Sequence, residues 1–405
     1  MGFGTLAIVA VAGLIGPLLA ARSGWNVPVV VGELLAGLVL GASGLGWLDA
    51  ADPTFSFLAE IGFALVMFVA GSHVPVRDVR LRVGLGIGTA RAAAIGAVAA
   101  LLGYGAAELF GTDNAALYAL LMASSSAALI LPIIDSLHLH GPAVLQLIPQ
   151  IAIADATCIV ALPLIIDPPN AGRAGIGAAL VIGGAALLYL GLRVWQRTGL
   201  QPRVHRLSER RKFAIELRVS LAVLFALAAV AAASHVSIML AGFGCGLAVA
   251  AVGQPRRVAK QLFALTEGFL GPLFFVWLGA SLDVRNLVGN PSVILLGVYL
   301  GVGALLAHQT MRFTGQPISI GALACAQLGV PVAAATLAAQ EHLLGPGEAP
   351  ALILGALITI GISTAGGALA ARRFGGIRQP STSRPPTSHP PTSQPPKTDP
   401  PPAST

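Results

Sequence analysis

Asp155 stands near the middle of an apolar run from Leu145 to Ile166, in the stretch Ile-Ala-Ile-Ala-Asp-Ala-Thr-Cys-Ile-Val that covers residues 151–160. A charged side chain at that depth in a bilayer costs roughly 2.5 to 3.5 kcal/mol, so it faces a water-filled cavity or a partner and marks a functional site. The chemistry it offers is reversible: a carboxylate there holds a proton or a small cation, but not both together. Groups able to complete its shell recur in other apolar runs. Ser125 and Ser126 belong to a serine triplet, Gln327 precedes a Leu-Gly-Val-Pro, and Thr157 follows the acid by two residues. Arg91, roughly two turns inside its run, and His308, about one turn before Arg312, are the candidate counter-charges; snorkelling and an interfacial position are their structural alternatives. Asp135, His138 and His140 cluster in one loop, as a pH sensor or as ordinary polar loop residues.

The elements that must position these groups are membrane helices. Of 405 residues 55% are hydrophobic and 10% charged, with a mean hydropathy of +0.81, which excludes an ordinary water-soluble domain. The net charge of +7 comes from basic residues in short loops, without the interleaved aromatics of a nucleic-acid footprint, so no nucleic-acid partner is expected. Cys158, Cys245 and Cys325 lie far apart in apolar runs, so they form neither a disulfide framework nor a resident metal site. No cofactor, nucleotide motif or paired nucleophile and base is evident, and no enzyme is expected.

At about twenty apolar residues per span the chain holds about thirteen helices. They fall near Phe3 to Ala21, Val27 to Ala42, Phe55 to Ala70, Val83 to Phe110, Ala115 to Ile134, Leu145 to Ile166 and Gly175 to Val194. The remaining six lie near Phe213 to Ala233, Val236 to Val252, Phe263 to Leu282, Val293 to Phe313, Ile318 to Ala339 and Ala351 to Ala371. Basic residues gather on one side, among them Arg22, Arg77, Arg203, Arg211, Lys212, Arg256 and Arg372; acids such as Asp49, Asp52, Glu108 and Glu348 gather on the other. The positive-inside rule then places the N-terminus outside and the C-terminus in the cytoplasm of a multi-pass protein of the inner (plasma) membrane. The membrane domain covers residues 1–378; residues 379–405, rich in Pro, Ser and Thr, read as a disordered cytoplasmic tail.

An internal repeat divides the domain. Val31 to Gly41 resembles Leu240 to Ala248, and Phe68 to Arg77 resembles Trp277 to Arg285. On the charge-based topology Arg77 is cytoplasmic and Arg285 outside, so the halves, about 3–166 and 213–371, are inverted repeats joined by a linker helix at about 175–194. Corresponding helices also carry matching interruptions: serines and Pro132 in helix 5, Gly329 and Pro331 in helix 12. Both read as broken helices whose freed backbone dipoles face an ion, the alternative being close packing or a kink.

These motifs resemble the monovalent cation:proton antiporters, in the branch of Kef-type potassium efflux systems and bacterial sodium/proton exchangers. The resemblance rests on the run from Val27 to Gly37 in helix 2, Leu58 to Gly62 and Met67 to Gly71 in helix 3, the serines 124–126, and Pro272 to Gly279 with Asp283 at helix 10. It implies an all-α polytopic fold with inverted repeats and crossed broken helices 5 and 12 beside the helix 6 carboxylate, which Asp155 matches. It also implies a homodimer in the lipid bilayer, with helices 1 to 3 and 8 to 10 as scaffold and helices 4 to 6 and 11 to 13 as a moving core. The exchange implied is Na+ or K+ against H+, with Asp155 as the transient cation ligand and Ser125, Ser126, Thr157 and Gln327 around it. Ala154 stands where relatives carry a polar residue, helix 11 has no lysine, and Gly329-Val330-Pro331 replaces a Gly-Glu-Phe. One acid without a lysine partner gives one-for-one exchange as the simplest stoichiometry; an uncoupled ion pathway or a transport-dead sensor on the same fold is the alternative.

Overall fold

The computed structural model describes residues 1–21, 29–74, 76, 79–166, 169, 171–198, 215–234, 236–253, 256–282, 290–341, 344–345 and 347–374. Val27, Pro28, Arg22, Arg77, Arg203, Arg211, Lys212, Asp283 and Arg285 lie outside these residues, as does the tail 379–405.

Among the described residues of the membrane domain, the long elements are helices. The helices are α1 (Phe3–Ala20), α2 (Val29–Leu40), α3 (Pro53–His73), α4 (Val79–Phe110), α5a (Ala115–Ala123), α5b (Ala127–Ser136), α6 (Pro142–Ile166) and α7 (Ala171–Arg197). They continue with α8 (Ile215–Ala233), α9 (Ile238–Val252), α10a (Arg256–Leu265), α10b (Gly271–Ser281), α11 (Pro291–Gln309), α12a (Ile318–Ala324), α12b (Gly329–Glu341) and α13 (Glu348–Phe374). Taken with their halves these are the thirteen expected segments; among the described residues 10 spans are long and apolar enough to cross a membrane, and α2, α8 and α9 are shorter apolar helices. The chain is a multi-pass membrane protein.

Local chemistry sets the ends. Asp52 caps α3 by accepting the Thr54 and Phe55 N–H groups at 2.9 and 3.0 Å, just ahead of Pro53, whose missing N–H costs nothing in a first turn. The α10 pair is joined by a π turn, Thr266–Leu270, where Thr266 Oγ1 bonds back to Leu262 O at 2.8 Å. At the other end of its helix, α11 runs on into a 3-10 turn, Thr310–Thr314, which lengthens the span to Pro291–Thr314. The loop after α5b is held to the end of α13 by His140 N–H donating to Phe374 O at 3.0 Å, with His138 at a positive φ of 51°.

Two seams hold one part of the bundle together. Helix α2 packs on α10b, and α3 packs on α9. Both contacts bring backbone against backbone at glycine. A Cβ on Gly37 would collide with the Val276 carbonyl and one on Gly279 with Leu34 O; a Cβ on Gly242 would strike Ala64 O, and one on Gly246 Phe68 O. Leu35-Ala36-Gly37 and Leu240-Ala241-Gly242 thus do the same job in their own seams, as do Gly41 and Gly246. Apolar surface gives no drive to associate inside lipid, so such close approach is what makes helices cohere there. Elsewhere α4 packs on α5a and α6, and α11 on α13.

Candidate functional site

The site is built where α5 and α12 are interrupted. Helix α5a stops at Ala123 and α5b starts at Ala127, with Ser124 and Ser126 extended between them (ψ 150° and 106°). In α12 the interruption covers residues 325–328. The prolines do not mark these points. Pro132 lies inside α5b and Pro331 is the third residue of α12b, so the unwinding falls ahead of each, on the serines 124–126 in α5 and on Cys325-Ala326-Gln327-Leu328 in α12. Proline is tolerated in a first turn, and serine offers the backbone an alternative partner to the helix ladder.

The two interruptions cross and bond. Ser126 N–H donates to Ala326 O at 2.7 Å, and Ser125 Oγ–H donates to Ala324 O at 2.8 Å. Residues Ser124, Ser125, Ser126 and Gln327 are all buried. The end of one half-helix and the beginning of the next therefore meet in the interior, bringing orphan carbonyls and orphan N–H groups together.

Asp155 of α6 completes the crossing. It is 2% exposed, and its Oδ2 accepts the Ala127 N–H, the first of α5b, at 2.9 Å. A carboxylate at a helix N-terminus is stabilised by the free N–H groups and the aligned peptide dipoles. Helix α6 is held in place by close approach to α4, where a Cβ on Gly88 would press on Pro149 and the Gln150 N. From behind, α13 supports the α12 break: Gln327 N–H donates to Thr359 Oγ1 at 3.1 Å, and Ser363 Oγ–H donates to Leu323 O at 3.0 Å. The Gln327 side chain keeps a buried Nε2 without a hydrogen-bond partner.

The expected residues thus separate. Asp155, Ser125, Ser126 and Gln327 converge on the crossing. His308 joins them: it is fully buried, with Nε2 3.1 Å from Ser125 Oγ and Nδ1 2.8 Å from Ala304 O, so the interfacial reading does not hold. Thr157 does not converge. It is exposed on α6, because two residues turn a helix by about 200° and carry the side chain to the opposite face. The hydrogen bonds of Arg91 go to the 3-10 turn instead of to Asp155, with Nε donating to Thr314 Oγ1 at 2.9 Å and Nη2 to Thr314 O at 3.0 Å. There the guanidinium caps the end of α11, where free carbonyls favour a cation. Glu33 is buried against α1, whereas Glu60 and Glu267 are exposed.

Sequence reasoning missed Thr359 and Ser363. Their spacing of four in an apolar helix was the available signal, since it places both on one face. It also missed Gln150 of α6, whose Oε1 accepts from Gln316 Nε2 at 3.2 Å while Gln150 Nε2 and Gln316 Oε1 stay buried and unpartnered. Among the described residues no group of three His, Cys, Asp or Glu side chains is placed to hold a metal ion.

Three kinds of comparison bear on this arrangement. The family model described as sodium/hydrogen exchanger, transmembrane, matches residues 6–369. YjbQ of Bacillus subtilis is 25% identical over 378 residues, which cover 87% of this chain and 61% of that protein. The glutathione-regulated potassium-efflux system protein KefC of an Enterobacter species is 29% identical over 302 residues, covering 72% of this chain and 47% of KefC. The chain therefore spans less than two thirds of the length of either relative. In fold it is similar to the sodium proton antiporter MjNhaP1 of Methanocaldococcus jannaschii solved at pH 8, with a TM-score of 0.60, 15% identity, and 92% of this chain and 99% of that chain covered.

Proposed function

Because the chain belongs to the sodium/hydrogen exchanger family, we propose that it exchanges a monovalent cation, Na+ or K+, for H+ by alternating access at Asp155. The observation that carries this reading is the position of the carboxylate: buried in mid-membrane, bonded to the first N–H of α5b, at the crossing of two unwound segments. Proton and cation compete there for one acid. When the cation binds, Asp155 supplies the charge, and the Ser125 and Ser126 hydroxyls, the Gln327 amide and free carbonyls of the two breaks replace water. When the proton binds, the carboxyl is neutral and the cation leaves. A core of α4 to α6 and α11 to α13 moving against the glycine seams would expose the site to one side at a time.

The same reading includes two inverted repeats, residues about 3–166 and 213–371. The matched roles of Gly37 and Gly242, and of Gly41 and Gly246, support it. We place the protein in the inner membrane as a homodimer, N-terminus outside and C-terminus cytoplasmic, acting as a transporter and not as an enzyme.

The test is proton movement in proteoliposomes with an imposed pH gradient, with Na+, K+ and Li+ added in turn, for the native chain and Asp155→Asn. The expected result is that one cation collapses the gradient only with the native chain. A native protein silent to every cation would sink the exchange reading and leave the sensor or uncoupled pathway.

A further inference from the structure

Gln150 of α6 and Gln316 of the segment that leads into α12a are 0% and 4% exposed, and they bond amide to amide, with Gln316 Nε2 donating to Gln150 Oε1 at 3.2 Å. Among the described residues, Gln150 Nε2 and Gln316 Oε1 have no hydrogen-bond partner. Turning both amides over exchanges their roles and leaves the same inventory, one free N–H donor group and one free carbonyl acceptor on two amides already in contact. A buried polar atom left unpaired is costly, so these two mark a place for a ligand. The chemistry of that ligand is narrow. A cation would meet the amide N–H, an anion would meet the carbonyl, and the Arg91 guanidinium, bonded to Thr314 in the same segment, adds a positive charge against a second cation. Water both accepts and donates, and one molecule satisfies both atoms.

The pair is also the foot of a closed ring. From Gln150, α6 runs five residues, about 7.5 Å, to Asp155, whose Oδ2 accepts the Ala127 N–H. From Gln316 the chain enters α12a at once, with Pro317 as N-cap, and Ile318–Ala324 carry it to the α12 break. There Ala326 O accepts the N–H of Ser126, the neighbour of Ala127. Two helical legs thus stand on one pair of side chains and meet again at the α5 break. Each leg is held from outside: a Cβ on Gly88 of α4 would press on the Gln150 N, and Gln316 N–H donates back to Met311 O at 3.2 Å. Helices act as rigid elements, so pinning the legs at the foot sets the distance of Asp155 from the Ala326 carbonyl at the top.

We infer that Gln150 and Gln316 hold one buried water and, through it, act as positioning residues that fix the spacing of the cation's ligands and so decide which monovalent cation is preferred. Na+, K+ and Li+ carry the same charge and differ in radius, so a site tells them apart by how firmly its oxygens keep their number and separation. With the foot closed, Asp155 and the α12 break stay at one distance. With either amide removed, the water loses a partner, the legs can slide, and the site accommodates ions of other sizes. The consequence for transport rests on the exchange reading; the water itself does not.

Two measurements on the full chain test this. A crystal map at a resolution that shows ordered water should hold a peak within hydrogen-bonding distance of Gln150 Nε2 and Gln316 Oε1, without anomalous signal after a Tl+ soak. No peak overturns the water, and a peak with Tl+ signal overturns it in favour of a second cation station. In proteoliposomes, the KM values for Na+, K+ and Li+ are then compared among the native chain, Gln150→Met, Gln316→Met and the double variant. Each single variant should shift the KM ratio between the best and the next cation by about fivefold, the size of one hydrogen bond. The double variant should shift it no further, because the second amide then has nothing left to hold. Where the native chain takes one cation alone, either variant should admit a second. A pair that only supports the fold would lower the unfolding midpoint and leave the ratio unchanged, and that result overturns the positioning role. If Gln150→Met does not fold, Gln316→Met, in a connecting segment, decides. A native chain that answers no cation overturns exchange and the role in selectivity together, and the map still decides the water.

Discussion

The glycine seams and the α5/α12 crossing both bring backbone against backbone, and they do so by opposite means. In the α2/α10b and α3/α9 seams the helices stay whole and the side chain is deleted, so that Gly37 reaches the Val276 carbonyl and Gly246 reaches Phe68 O. A regular helix pairs its own interior peptide groups, so little is left over there for a ligand. At the crossing the helices themselves are interrupted, and peptide groups of residues 124–126 and 325–328 turn to each other, to Asp155 and to His308. Unsatisfied backbone in a membrane costs several kcal/mol per group, which confines such unwinding to places where protein or a water-filled cavity covers it. The seams are therefore where the protein spends its sequence on cohesion, and the crossing is where it keeps groups available to an ion.

The largest effect expected from that contrast is a separation of transport from stability. Asp155→Asn should bring cation-coupled proton movement down to that of protein-free liposomes, while the thermal midpoint in detergent stays the same or rises, since a buried charge is removed. A loss of folding equal to the loss of transport would erase the contrast. Gly246→Ala and Gly41→Ala should do the reverse. The new Cβ meets a carbonyl oxygen that intact helices cannot move aside, so each should lose about 1–3 kcal/mol, read as a lowered unfolding midpoint. The proposed duplication sharpens this: the two variants would occupy matched positions and should cost alike, and a seam in which one is tolerated would separate the halves.

Arg91 gives a smaller effect with a sharper sign. Its hydrogen bonds hold the 3-10 turn at the end of α11, so Arg91→Gln should cost about 1.5–3 kcal/mol of stability and leave transport measurable at permissive temperature. A counter-charge for Asp155 would give the opposite pattern, intact folding with altered cation affinity. Thermal unfolding and cation KM on the same preparation separate the two.

What sequence made legible follows from what is local. The length of each apolar run, the lone acid in the sixth, and the serine triplet in the fifth are properties of single segments, and the structure keeps them. The register between segments is not local. The serines mark the α5 break itself, whereas Gly329 and Pro331 fall just past the α12 break, because a proline inside a helix and a break are told apart only by which neighbour takes the freed peptide groups. His308 read as interfacial because Arg312 follows it by one turn; the 3-10 turn Thr310–Thr314 prolongs the span and leaves the histidine a turn deeper. Arg91 could be placed within its helix from sequence, but its partner Thr314 is 223 residues away and appears only when α4 and α11 are packed.

Thr157 provides the smallest effect and the closest control on the crossing. It is near Asp155 in sequence and carries a hydroxyl able to bind a cation, so proximity along the chain favours it as a ligand. The helix decides otherwise, since a step of two residues rotates the side chain by about 200° and exposes it away from the break. Thr157→Val keeps the branched shape and removes the hydroxyl, and should change cation KM by less than about twofold, with no shift in its pH slope. Ser126→Ala, one residue from the Asp155 anchor at Ala127, removes the same chemical group from the buried side and should raise KM by about tenfold, the size of one lost hydrogen bond to a charged group. If the threonine variant is the one that raises KM, the ion passes along the exposed face of α6, and the crossing of α5 and α12 is a structural joint rather than the place where the cation is held.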